Sequence, residues 1–194
     1  MRLIGICGRS GCGKSLFSAI LRQKGFKVID CDEVYKELVS HKSQCLSELE
    51  SAFGSDILEN NSLNRKKLAE IVFTNPENLA LLNQITHKHI INRVDEIISE
   101  CEESDVVFLD APTLFESGIS DRCELIIGIT ASDEICMERI IKRDNLTEEQ
   151  GRNRLANQKT NEFLIENCDI IIYNETSPEE FESAVTDLLE ELIS

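Results

Sequence analysis

Apolar positions along this chain fall into two kinds of run. Short, nearly unbroken stretches occur at Arg2–Cys7, Lys27–Asp30, Val106–Leu109, Leu125–Ile129 and Asp169–Tyr173. They are rich in Ile and Val, as strands buried on both faces are. Between them apolar residues recur at three- and four-residue intervals, the spacing of a helix face. Leu16, Phe17, Ile20 and Leu21 form one such face. A second pattern runs from Val34 and Leu38 past Leu46, Leu49 and Phe53 to a break at Gly54-Ser55-Asp56. Beyond a polar turn at Asn60-Asn61-Ser62, Ser62 or Asn64 can cap a helix burying Leu68, Ile71 and Val72. Asn75-Pro76 ends it and opens another through Leu82, Ile85, Val94 and Ile98, so nearly all of Val34 to Cys101 is expected to be helical. Further helices are expected from Ser132 to about Lys142 and from Pro178 through Leu192. Strands alternating with helices predict an α/β fold with a parallel five-stranded sheet covered on both faces. Its ligand is expected beyond the carboxyl ends of the strands.

One loop gives that position a chemistry. Gly8-Arg9-Ser10-Gly11-Cys12-Gly13-Lys14-Ser15 reads G-x-x-x-x-G-K-S, between the first strand and the first helix. This is the context of a phosphate-binding P-loop and implies a three-layer αβα P-loop NTPase fold. Glycines let the backbone turn its N–H groups inward, and the following helix points its positive dipole end to the same place. Gly8, Ser10, Gly11, Cys12 and Gly13 would cradle ATP, Lys14 would reach the β- and γ-phosphates, and Ser15 would ligate Mg²⁺.

Composition narrows the partners. The chain has 194 residues, 41% of them hydrophobic, with a net charge of −16. Such acidity argues against nucleic acid or an anionic membrane as partner. It leaves small-molecule substrates and a monomer or weak homo-oligomer. Eight scattered cysteines form no C-x-x-C pair, and with no leader or long apolar run a cytoplasmic, reducing location is expected. Cys12, inside the P-loop, is a candidate for oxidation.

Several polar residues could serve the reaction. Asp30 and Asp32 end the second strand; either could accept a proton from an attacking hydroxyl or cap the next helix. Asp110, ending a strand, resembles a Walker-B carboxylate that helps hold Mg²⁺ directly or through water. Pro112 to Glu116 could line an acceptor pocket or form a simple turn. Arg139 and Arg143 suit a lid over the transferring phosphoryl group, whereas Lys142 fits ordinary surface pairing. His87 and His89, two apart on a helix, do not share a face and make a metal site improbable. No N-K-x-D motif is present, which disfavours a GTPase, and motor or transporter machinery is lacking. A small P-loop kinase remains.

The ordered set of motifs resembles the dephospho-coenzyme A kinase family over nearly the whole chain. Asp30-Cys31-Asp32 is similar to its D-x-D motif, and Asp110-Ala111-Pro112 with Leu114-Phe115-Glu116 to its acceptor loop. Arg139, Arg143-Asp144 and Gln158 follow its lid spacing, and Ile172-Tyr173-Asn174 its last strand. The resemblance implies transfer of the ATP γ-phosphate to the ribose 3′-hydroxyl of dephospho-coenzyme A. Asp32 would be the general base; Lys14, Arg139 and Arg143 would stabilise the phosphoryl group. Arg65, His87, Leu114, Phe115 and Glu116 would hold the acceptor together with Asp32, and Asn174 would lie near the ATP base. Arg9 stands where the family usually has Gly. Asn64, Lys88, Thr113, Cys136 and Glu175 are further departures. One kinase domain is expected, with a core of 1–33, 104–138 and 167–194. A helical acceptor-binding subdomain of about 34–103 and a lid of about 139–166 complete it, and 143–158 is expected to close over substrates. The alternatives are another small-metabolite kinase or a non-catalytic nucleotide-binding regulator.

Overall fold

The structure, a computed structural model, describes residues 1–103 and 105–193. Ser104 and Ser194, at the expected ends of two core segments, lie outside them. The elements are β1 (Arg2–Gly8), α1 (Lys14–Gln23), β2 (Lys27–Asp30), α2 (Cys31–Ser40), α3 (Gln44–Phe53), β3 (Leu58–Glu59), β4 (Ser62–Leu63), α4 (Arg65–Val72) and α5 (Pro76–Ser99). Then follow β5 (Val106–Asp110), β6 (Leu125–Thr130), α6 (Asp133–Asp144), α7 (Glu148–Ala156), α8 (Asn161–Asn167), β7 (Ile170–Tyr173) and α9 (Pro178–Ile193). The chain divides into two compact units, Met1–Val28 with Glu103–Ser194, and Ile29–Glu102.

The five apolar runs form one sheet in the order β2-β5-β1-β6-β7. β1 pairs in parallel with β5 on one side and β6 on the other, matching Ile6 to Asp110 and to Ile127. β6 pairs in parallel with β7, Thr130 opposite Tyr173. Continuous apolar sequence is required because helices cover the strands, and Ile4, Ile6, Phe108 and Ile127 are fully buried. They pack in one cluster with Phe17 and Leu21 of α1 and Phe181 and Val185 of α9. Phe26 stands edge-on to Phe108 at 5.4 Å between ring centroids.

The unit Ile29–Glu102 has its own core, built on Cys45, Leu49 and Ile57, all fully buried. The single helical pattern expected from Val34 to Phe53 is two helices. The Ser43 hydroxyl accepts from the Leu46 N–H and starts α3 afresh. The Asn60-Asn61 turn joins β3 and β4 as a hairpin, both asparagines having positive φ. Asn64 caps α4 through the Lys67 N–H, and Asn75 caps α5 ahead of Pro76. No helix among the described residues is long and apolar enough to cross a membrane.

Candidate active site

The P-loop is built from local turn chemistry and long-range support. The Cys12 N–H donates to the Arg9 carbonyl at 3.2 Å, closing the loop on itself. Gly13 adopts φ 105° and, at the cap position of α1, brings no side chain to the first turn, which leaves that turn open to a ligand. Gly11, at φ +84°, lies against α6: a Cβ there would meet the Cys136 carbonyl oxygen at 2.5 Å. Only glycine allows that approach.

Lys14 Nζ pairs with Asp110 Oδ1, and Ser18 Oγ donates to Asp110 Oδ2 at 2.6 Å. Asp110 is 4% exposed and Ser18 1%. A carboxylate so buried is stable because both oxygens are satisfied, one by an ammonium. The expected phosphate lysine and the expected metal carboxylate are thus brought together. Ser18 is a residue that spacing did not single out, its only signal being a small polar side chain on the apolar face of α1.

Asn174 holds the loop from below. It is 3% exposed, its Nδ2 donates to the Cys12 carbonyl at 2.9 Å, and its N–H donates to Thr130 at 2.8 Å. Arg139 joins it, with Nη1 donating to the Asn174 carbonyl at 3.0 Å and the Gly11 carbonyl at 3.3 Å. Arg139 is therefore anchored on the P-loop from the middle of α6, not swinging on an open lid. Arg143 pairs side-on with Asp144 at 2.8 Å through both Nε and Nη2, and Arg154 reaches the same carboxylate at 2.6 Å. The two arginines hold the Asp144 carboxyl down at about 2. The Cys12 thiol, fully buried, is pushed up to about 12 by burial, which opposes the thiolate that oxidation needs.

The 143–158 segment is ordered by α7. Thr147 and Gln150 cap one another reciprocally, and Gln158 grips Ser10: the Ser10 N–H donates to Oε1 at 2.9 Å while Nε2 donates to Ser10 Oγ at 3.0 Å. A cavity of about 240 Å³ opens where Gly8 and Arg9, the turn carrying Thr113, Phe115 and Glu116, and Gln158 meet. Phe115 stacks edge-on to Phe163 at 5.2 Å, and Lys159 sits 4.4 Å over the same Phe163 ring. Leu114 does not line this cavity. It is 1% exposed, and its δ-carbons would meet a Cβ on Gly5 at 3.1 and 3.4 Å, so it serves the core.

In the unit Ile29–Glu102, Asp30 is the cap. Its Oδ1 accepts from the Asp32 N–H at 2.9 Å and the Glu33 N–H at 3.2 Å. Asp32 itself stands exposed on the first turn of α2. Arg65 lies 5.9 Å over the Tyr35 ring, and His87 is half-buried on α5. His89 belongs to a different arrangement, with Nε2 3.1 Å from Glu48. Lys88, also on Glu48, and His89 hold the Glu48 carboxyl below its usual range.

A parallel sheet with a glycine loop, an uncapped helix start and a lysine–aspartate pair defines a P-loop nucleotide-binding protein. The dephospho-CoA kinase family profile matches residues 2–180. A dephospho-CoA kinase from Fusobacterium nucleatum is 39% identical over 92% of each chain. A dephospho-CoA kinase structure from Campylobacter jejuni superposes with TM-score 0.75 at 29% identity, over 99% of this chain and 98% of that one. A Thermus thermophilus protein structure gives TM-score 0.84 at 30% identity, over 100% and 98%. The chain belongs to the dephospho-CoA kinase family.

Proposed function

We infer that this chain transfers the γ-phosphoryl group of ATP to the ribose 3′-hydroxyl of dephospho-coenzyme A, giving coenzyme A and ADP. The observation that carries the reading is Lys14 held on buried Asp110 beside a helix start that no side chain caps, in a member of this family. The P-loop N–H groups and Lys14 bind and orient the β- and γ-phosphates, and positioning in line with the acceptor is most of the catalysis.

Asp32 accepts the proton of the attacking hydroxyl, the capping of α2 having fallen to Asp30. The acceptor is gripped by Arg65, His87, Phe115 and Glu116. Arg139, through Gly11, fixes the loop that faces the charge developing on the phosphoryl oxygens. Arg143 approaches those oxygens if it leaves Asp144. Mg²⁺ would be held by the Ser15 hydroxyl and the Asp110 carboxylate, hard oxygen donors that suit this ion. Both Asp110 oxygens keep a lone pair beyond their present partners. When bound it would neutralise phosphate charge. The protein works as a monomer or weak homo-oligomer in a reducing cytoplasm, which its eight free thiols fit.

The test is ADP release by the purified protein with Mg²⁺-ATP, offered dephospho-coenzyme A, adenosine, AMP or no acceptor. Release with dephospho-coenzyme A alone is expected; equal release with every acceptor and with none would overturn the assignment. Asp32→Asn is expected to lower kcat by at least about 100-fold while leaving ATP affinity within about twofold.

A further inference from the structure

Arg9 is the second residue of the P-loop, where a guanidinium would be expected to face the phosphates. Its guanidinium is instead engaged by α6 and α7. Its side chain is 7% exposed and its Nη1 pairs with Asp133 at the first position of α6. Nη2 donates to the Leu155 carbonyl at 3.4 Å, in the last turn of α7. Both ends of this contact suit a cation: a carboxylate on one side, the negative end of a helix dipole on the other. Nε is buried without an acceptor. The neighbouring Ser10 exchanges two hydrogen bonds with Gln158, two residues beyond the end of α7. Two successive P-loop residues thus hold the last turn of α7 and the residues after it.

We propose that Arg9 is a positioning residue: it latches the Leu155–Gln158 end of α7 to the P-loop before nucleotide arrives. The loop and its cover are then largely ordered in the free protein, and ATP binding need not supply that ordering. The unpaired Nε keeps the latch releasable, because in water all five guanidinium N–H groups find acceptors. A glycine here would leave the same loop without this hold, so the residue that departs from the family's pattern changes how the site is prepared, not the chemistry performed in it.

The kinetic arm rests on the phosphotransferase reading above; the exchange arm does not. Arg9→Ala, chosen over Gly so that backbone freedom is little changed, is compared with Arg9→Lys, which keeps charge and stem. Amide hydrogen exchange of the nucleotide-free protein is expected to accelerate at least about tenfold in 148–158 in Arg9→Ala, with β1, β5 and β6 unchanged. KM for ATP should rise about tenfold with kcat within about twofold, and Arg9→Lys should recover part of the loss. Asp133→Asn should add little in the Arg9→Ala background, because both changes break one contact. Unchanged exchange in 148–158 overturns the latch even if the protein proves inactive. So does a fall in kcat at constant KM, which would place Arg9 in the chemical step, or a lowered melting temperature with both constants intact, which would make it purely structural. Should Arg9→Ala fail to fold, Arg9→Lys alone decides: exchange and KM identical to the parent protein would sink the proposal.

Discussion

Asn174 illustrates how a single amide supports a loop that has little side-chain matter of its own. Its Nδ2 satisfies the Cys12 carbonyl, and that side chain fills the space a Cβ on Gly13 would need. Asn174→Ala leaves a buried carbonyl without a donor and should lower stability by about 1–3 kcal/mol in urea unfolding. The sequence placed this residue near the nucleotide base by family resemblance, but its grip on the P-loop spans 162 positions and no local pattern signals it. The same holds for Ser18 on Asp110, 92 positions apart, and Arg9 on Asp133, 124 apart. The glycine loop, by contrast, was legible because its requirements are local. Asp110→Asn tests the proposed metal role at this same scale. It keeps the shape but removes the charge facing Lys14, and the Mg²⁺ concentration for half-maximal ADP release should rise about 10–100-fold. An unchanged Mg²⁺ dependence would leave Asp110 as a partner of Lys14 and Ser18 only.

Among the elements, α6 and α7 are tied by charge as well as by apolar packing, Gly151 of α7 lying against Met137, Ile140 and Ile141 of α6. Asp144, the last residue of α6, takes Arg143 from its own helix and Arg154 from α7. A carboxyl whose folded value is depressed contributes stability above its ordinary value of 3.8, and that contribution is lost as pH falls through about 2. The link is therefore complete at pH 7 and should fade only in strong acid. A carboxyl carbon titration by NMR should place the Asp144 midpoint well below that of an exposed aspartate, and Asp144→Asn should speed amide exchange in α7 at pH 7. A midpoint near 3.8 would remove the link. The strands were readable as elements because burial on both faces forces unbroken apolar runs. The division of α2 from α3 was not, because the apolar spacing continues through Leu46 and Leu49 while one hydroxyl, Ser43, decides where a new helix begins.

At the level of the whole molecule, buried apolar side chains among the described residues gather in distinct cores, and two of these bear on the proposed site. One gathers Ile6, Phe17, Phe108 and Phe181 around the sheet, the other Cys45, Leu49, Ile57 and Val72 among the helices of Ile29–Glu102. Each is closed by its own helix caps and fully buried side chains. A cavity cut in one core weakens that core's contacts directly and reaches the other only through whatever cooperativity joins them. Leu49→Ala, at a fully buried position, should cost about 2–5 kcal/mol of local stability. Amide exchange followed by mass spectrometry should show the acceleration first in 29–102, with β1, β5 and β6 still near parental rates. Phe181→Ala should give the opposite pattern, loosening the sheet core and with it the support under the P-loop. Equal acceleration everywhere in both variants would mean that the two cores open as one cooperative body. An asymmetric result would mean that Arg65 and His87, the residues proposed to hold the acceptor, belong to a unit that can loosen while the sheet core beneath the P-loop stays formed.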